Sequence, residues 1–435
     1  MLSLYAFLTD IAAWPLRALL RVRAWRGKEE PLRLAERRGL SALGRPTGVL
    51  VWCHAASVGE SLAVLPLIHS LIEEPGTHVL LTTGTATSAR LMAERLPTRV
   101  IHQFAPLDRR GWVSRFLGHW QPNIAVRMES ELWPNTLVAL KDGGVPVVII
   151  NGRLSDSTVA GWARFPGAAK TVMNCVDLVL AQSKEHAEKF RTLGARQVEV
   201  ASNLKLAAPP LPVDQKTVAS LKSMVGERPL WLAASTHPGE EEIIFSVHKS
   251  LAETYPNILT MIAPRHPHRG PEIVKQGENA KLTIARRSAG QDITNTTSIY
   301  VADTLGELGS FFTVAPIVFM GKSLSVKDGV KGGQNPIEPA HFECAIVFGP
   351  HMENFDDVAA MMVREKMALQ VANENELVVT LDTLFAAADA SEALAVTAKE
   401  RAMTGSDAVT QALAAIQAHL KVTPVNRTPG MLDHG

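Results

Sequence analysis

The chain has 435 residues, too many for one ordinary core, and by default it divides into two domains of about 200 residues each. Lys+Arg 44 against Asp+Glu 43 leaves a formal net charge of +1, and no basic stripe with interleaved aromatics appears, so nucleic acid is not an expected partner and any anionic ligand must be held locally. Cys53, Cys175 and Cys344 lie in or beside apolar runs without metal-type spacing; they read as buried, reduced thiols, which points to a cytosolic setting.

Residues 2–20 are largely apolar, but Asp10, Pro15 and Arg17 interrupt them before the basic cluster Arg21, Arg23, Arg26 and Lys28. A bilayer span needs roughly 20 uninterrupted apolar residues, and a charge at mid-span is costly. Residues 1–30 are therefore expected to form an amphipathic helix lying in the membrane surface, in preference to an anchor that spans it; a helix docked on the protein's own core is the plain alternative.

Residues 31–207 read as a first domain. A short helical stretch over 34–40 ends at Gly39 and carries Glu36 close to Arg33, Arg37 and Arg38; taken alone, such a glutamate is a solvated surface charge. Strands follow at 48–54, 78–83, 123–126, 145–150, 176–180 and 198–201, each running into a polar loop and most of them into a helix. Ser57 is not in a Gly-x-Ser-x-Gly elbow, Gly84-Thr85-Ala86-Thr87 lacks the P-loop lysine, and no Gly-x-Gly-x-x-Gly follows a strand. Hydrolase, ATPase and dinucleotide readings weaken together. Glu129 and Glu131 face the same way if their strand persists that far, with Arg153 as a partner for one of them.

A linker is expected at 208–216, proline-rich and without charge as far as Val213, then a second domain at 217–421 and a loose tail at 422–435. Strands at 231–234, 258–263, 281–284, 298–301, 316–320 and 345–348 repeat the alternation, which predicts α/β structure with doubly wound parallel sheets and function at the carboxyl ends of the strands. His266 and His268 bracket Pro267 but are not expected to hold a metal. In Gly332-Gly333-Gln334-Asn335-Pro336-Ile337-Glu338-Pro339 the spacing predicts a glycine-bearing loop and a helix start, with Pro336 in the first turn and Asn335 capping it. Such a start suits a nucleotide phosphate, with Glu338 on sugar hydroxyls; Glu338 could equally close a capping box with Asn335.

Six stretches, 55–60, 129–135, 151–155, 235–240, 303–308 and 332–339, resemble in order the signatures of the Kdo transferases, which move 3-deoxy-D-manno-octulosonic acid from CMP-Kdo onto the lipid A precursor in lipopolysaccharide assembly. The resemblance runs from Glu36 to about Phe355. It implies a GT-B architecture, two Rossmann-like domains facing an interdomain cleft, and an inverting transfer with Glu36 as general base. It implies a donor side built from Ser235, Thr236, His237, Arg265, Gly306, Glu307, Ser323, Gly332, Gly333, Asn335 and Glu338, with Asn203 and Lys205 near the hinge. Ser57, Gly59, Glu60, Glu129, Glu131 and Arg153 would line the acceptor side. Donor and acceptor would be CMP-Kdo and a lipid A precursor at the cytoplasmic face of the inner membrane, with no cofactor and no metal. Three segments depart from the family pattern: Gly321-Lys322-Ser323 stands for Gly-Gly-Ser, Gly332-Gly333-Gln334-Asn335-Pro336 for Gly-Gly-His-Asn-Pro, and Ser202-Asn203-Leu204-Lys205 for Gly-Asn-Leu-Lys. Lys322 adds bulk and a cation beside the expected phosphate site, which bears on the donor accepted. The alternatives are a related GT-B enzyme with another nucleotide-activated sugar and, from a different class, a membrane-associated binding protein of the same fold that does not catalyse.

Overall fold

A computed structural model describes residues 1–207, 210–325 and 332–422. Residues 208 and 209 of the expected linker, and the expected tail from 423 onward, lie outside the described residues. The chain forms two compact units, Met1–Ala207 with Gly405–Gly435, and Ala208–Thr404.

The first unit is built on a seven-stranded sheet of β1 (Val49–Ala55), β2 (Thr77–Thr83), β3 (Val100–Phe104), β4 (Ile124–Met128), β5 (Val147–Gly152), β6 (Leu178–Ala181) and β7 (Val198–Val200), in the order β3-β2-β1-β4-β5-β6-β7. Every pairing is parallel. Side chains alternate across such a sheet, and both faces here are covered, so the strands are apolar on both sides. Val51 and Cys53 join Val79, Leu81 and Val126 in one core, while Leu50 and Trp52 join Leu80, Ala125 and Phe116 in the other.

The second unit repeats the plan with β8 (Leu230–Thr236), β9 (Leu259–Pro264), β10 (Ile284–Arg286), β11 (Ile299–Val301), β12 (Ile317–Met320), β13 (Ala345–Phe348) and β14 (Ala368–Gln370), ordered β10-β11-β9-β8-β12-β13-β14 and again parallel. Strand order reverses between β1 and β4 in one sheet and between β8 and β12 in the other. A doubly wound sheet opens a crevice at that point, outside the carboxyl ends of its strands.

Three features differ from expectation. Edge strands β3 and β14 were not anticipated: β3 carries polar His102 and Gln103, and β14 has only three residues with Leu369 and Gln370 exposed. Strand β10 starts at Ile284 rather than 281, because Lys281 turns the chain in a left-handed conformation at φ 62. The second unit ends at Thr404 rather than 421. The 35-residue helix Ala388–Val422 continues past that point, and its buried Ala408, Ala412 and Ile416, one turn apart, fill the core of the first unit. Gly405 permits this seat, since a Cβ there would overlap the Leu206 carbonyl.

The amino terminus forms two helices, Leu2–Ile11 and Ala13–Trp25, instead of one. Polar groups dock the first on the sheet domain: the Tyr5 hydroxyl donates to Asp108 at 3.0 Å, Asn135 Nδ2 to Thr9 at 3.1 Å, and Arg110 pairs with Asp10. Leu4, Phe7, Leu8, Ile11, Trp14, Leu19, Val22 and Trp25 are left exposed. Among the described residues no helix is long and apolar enough to cross a membrane.

Candidate active site

Glu36 lies in a single tight turn, Glu36–Arg38, closed by Gly39 at φ 74, and Arg33 sits three residues before it. Its carboxylate takes Arg33 Nε on Oε1 and Arg33 Nη2 on Oε2, both at 2.8 Å, and the Phe104 N–H on Oε2 at 2.7 Å. The glutamate is thus tied to the carboxyl end of β3 rather than left in solvent. A carboxylate offers about four lone-pair positions, so three donors leave Oε1 able to accept one more hydrogen bond. Arg33 Nη2 also reaches His102 Nδ1 at 3.0 Å. Burial, with Arg33 and Arg37 adding to it, pushes His102 down to about 4. The neutral ring accepts from Arg33 on Nδ1, which leaves Nε2 to donate to Thr83 Oγ1 at 3.0 Å.

Acidic groups gather where β1 and β4 end. Ser57 caps the helix Val58–Ala63, its Oγ accepting from the Glu60 N–H at 3.3 Å, while Glu60 accepts from Ser57 Oγ at 2.8 Å and from the Ala56 N–H at 2.9 Å. Burial, reinforced by Glu129, raises the Glu60 carboxyl to about 7. A Cβ at Gly59 would meet nothing within 4 Å, so the first turn beside it faces open space.

β4 ends at Met128, and Glu129 turns the chain at φ 55. The expected alternation of Glu129 and Glu131 along one strand face therefore does not occur. Glu129 pairs with Lys205 at 2.7 Å, and Arg153 lies exposed beyond β5. Glu131 accepts from the Trp133 indole and lies 3.8 Å from His54 Nε2. Burial pushes the Glu131 carboxyl up, yet His54, Trp133 and Arg127 together hold it below its ordinary value. The His54 ring is itself pushed down by burial.

Lys205 and Asn203, expected near the donor, belong to the first unit. Asn203 caps the turn Leu204–Leu206 through the Lys205 N–H.

In the second unit, Glu240 organises the ends of β8 and β12. Its buried carboxylate accepts the N–H groups of His237 at 3.0 Å, Lys322 at 2.6 Å, Ser323 at 2.9 Å and Leu324 at 3.2 Å. The two loops also pass backbone to backbone: a Cβ on Gly321 would lie 2.8 Å from the Ser235 carbonyl. Ser235 and Lys322 both adopt left-handed backbone, at φ 58 and 57. His237 is pushed down to about 4, chiefly by burial, with Lys322, His266 and Arg265 contributing as neighbours. The His237 ring meets His266 edge to face and His266 stacks on His268, yet among the described residues no group of three or more His, Cys, Asp and Glu side chains is placed to hold a metal ion.

Several expected donor groups are already committed within the fold. The Thr236 hydroxyl is buried and donates to Glu241 at 2.8 Å, and Glu241 in turn holds Arg269 at two points. Ser323 is fully buried, its hydroxyl donating to the Met320 carbonyl and accepting from the Gly349 N–H. The Gly332 N–H is taken by Glu353 at 2.8 Å and the Gly333 N–H by the Lys322 carbonyl at 2.6 Å, so neither is available to a phosphate. The following helix starts at Ile337, not Pro336, and lasts one turn to Ala340. Asn335 Oδ1 accepts from the Ile337 N–H at 3.2 Å and its Nδ2 donates to Glu338 at 3.4 Å. Glu307 receives Arg287 Nε at 2.6 Å and the Thr304 hydroxyl, which makes it the anchor of a helix start beside the exposed Gly306. Arg265 is exposed.

A family model described as 3-deoxy-D-manno-octulosonic-acid transferase (kdotransferase) matches residues 32–208. The chain is 34% identical over 339 residues to the 3-deoxy-D-manno-octulosonic acid transferase of Rickettsia felis, covering 77% of this chain and 71% of that relative. It belongs to the Kdo transferase family. The namesake from Haemophilus influenzae is 33% identical over 360 residues, covering 81% of this chain and 82% of its own. Among solved structures, the C-terminal CMP-Kdo binding domain of WaaA from Acinetobacter baumannii is similar at 28% identity, covering 43% of this chain and 96% of that one, with a TM-score of 0.40.

A Kdo transferase is a glycosyltransferase, and the two doubly wound α/β domains are the halves of the expected GT-B plan. In this family member sequence reasoning missed the Arg33 fork on Glu36, the Phe104 N–H and the Glu240 clamp. Arg33 at three residues before Glu36 was a visible signal. Glu240 closed the 235–240 stretch, but its role was hidden because three successive glutamates at 240–242 read as an ordinary acidic first turn.

Proposed function

We propose that the chain transfers Kdo from CMP-Kdo to lipid IVA, the lipid A precursor, with inversion, at the cytoplasmic face of the inner membrane in a Gram-negative cell. The observation that carries this reading is the Glu36 carboxylate, immobilised by Arg33 and the Phe104 N–H with one lone-pair position left on Oε1. An acceptor sugar hydroxyl is a weak nucleophile, and a carboxylate in hydrogen-bond reach takes its proton as the bond to the anomeric carbon forms. The bond from that carbon to the CMP phosphate oxygen breaks in the same displacement, which inverts the centre. Exposed Arg265 is a cation for the departing phosphate, and Glu338 takes ribose hydroxyls. No cofactor enters this scheme.

The exposed apolar side chains of the two amino-terminal helices, with Arg17, Arg21, Arg26 and Lys28 exposed beside them, support seating on an anionic bilayer surface. The test is mass spectrometry of lipid IVA incubated with CMP-Kdo and purified protein, with Glu36→Ala alongside. A gain of one or more Kdo units, lost in the variant, is the expected result. No gain with demonstrably active donor would reject CMP-Kdo as the donor.

A further inference from the structure

We propose that Lys322 is a donor-binding cation of this enzyme, its ammonium meeting an anionic oxygen of the activated donor at the carboxyl ends of β8 and β12. The assignment rests on the transfer reading above. Lys322 holds φ 57, a left-handed conformation that L side chains rarely adopt and glycine adopts freely. Its backbone is gripped on both sides, the N–H by Glu240 and the carbonyl by the Gly333 N–H, each at 2.6 Å. Glycine would satisfy both bonds without strain, so the fold gains nothing from a side chain here. Strain kept at the switch point of a sheet points instead to use of the ammonium.

The surroundings agree. Lys322 is half-buried, and among the described residues no carboxylate pairs with its ammonium. Glu240, the carboxylate beneath it, spends both oxygens on backbone N–H groups. Arg265 and His266 add positive character, felt at His237. The Gly332 and Gly333 N–H groups are occupied, so an anion arriving at this loop needs side-chain cations, and Lys322 and Arg265 supply them. A nucleotide-activated ulosonic acid carries two anionic groups, the phosphate and the sugar carboxylate; either presents the same chemistry to an ammonium.

The test uses the full chain and its Lys322→Gly and Lys322→Arg variants, with CMP binding by titration calorimetry, KM for CMP-Kdo, and thermal melting. Lys322→Gly is expected to melt at the same temperature or higher, because the left-handed strain is relieved, while affinity falls roughly 10- to 100-fold. Lys322→Arg retains most of the affinity. Weaker CMP binding assigns the ammonium to the phosphate; unchanged CMP binding with a raised KM for CMP-Kdo assigns it to the carboxylate. If neither moves, or if affinity falls only together with melting temperature, the proposal is overturned. A wild-type chain that neither binds CMP nor transfers Kdo would instead defeat the functional reading, and this assignment with it.

Discussion

The Arg33 guanidinium grips the Glu36 carboxylate at two points, Nε to Oε1 and Nη2 to Oε2, each at 2.8 Å. A lysine at 33 keeps the charge but offers a mobile point donor in place of a planar fork. Arg33→Lys is expected to lower kcat for transfer by roughly 10- to 100-fold, since misplacement of a reacting group by about an ångström costs that much, while KM for the donor holds. Steady-state kinetics with both substrates decide it; an unchanged kcat would remove the fork from catalysis.

Glu60 should make stability depend on pH. Its folded carboxyl is raised to about 7 against 4.5 for an ordinary one, so the folded chain binds this proton more tightly than the unfolded chain. The contribution is fully present below 4.5 and is lost as pH rises through 7, on the order of 3 kcal/mol in all. Glu60→Gln cannot ionise but gives up one acceptor oxygen, worth about 1 kcal/mol. The variant should melt below wild type at pH 5 and draw level or pass it at pH 8; a constant gap across that range would contradict the assignment.

Lys205 and Glu129 form a nearly buried pair, with side-chain exposures of 5% and 16%. Lys205→Met strands the carboxylate and should cost on the order of 3 kcal/mol. Adding Glu129→Gln removes the stranded charge and should recover at least half of that loss. Urea denaturation of the two single variants and the double variant measures the coupling, and simple additivity would mean that the pair contributes nothing.

Glu240→Ala leaves four backbone N–H groups in the β8 and β12 loops without their acceptor. A loss of about 3 kcal/mol or more is expected, with Glu240→Gln milder because one oxygen remains. Chemical denaturation of both variants checks the order; equal losses would show that one oxygen recovers nothing and that the clamp needs both.

Replacing Phe7, Leu8, Trp14 and Trp25 by serine removes the largest exposed apolar groups of the amino-terminal helices. Co-sedimentation with vesicles containing anionic lipid should fall by roughly tenfold or more, since each aromatic or leucine side chain buried in the interface contributes about 1–3 kcal/mol. Transfer to a detergent-solubilised acceptor should persist. Undiminished sedimentation would assign the membrane contact elsewhere.

The interior strands were legible because burial on both faces writes a continuous apolar run, as in Ile317–Met320 and Ala345–Phe348. The edge strands β3 and β14 were not, since an edge needs only one good neighbour and tolerates polar residues. At the site the limit was different. Thr236 and Ser323 looked like ligand donors because a hydroxyl reads the same in sequence whether it faces solvent or a buried acceptor. Glu36 stood out only through the family pattern, for its third donor, the Phe104 N–H, is 68 residues away on a strand that carried no signal. The alanine-rich stretch from Glu374 to about Leu420 reads as helical, but nothing in it says which core receives Ala408, Ala412 and Ile416.

That carboxy-terminal helix has a consequence for biosynthesis. The sheet of β1 to β7 leaves the ribosome first, yet its core stays open at the seats of Ala408, Ala412 and Ile416 until the whole second unit has been translated. A stop codon after Thr404 would release a second unit complete in sequence beside a first unit with an unfilled apolar groove. Of the two units, the one synthesised earlier is the last to be finished.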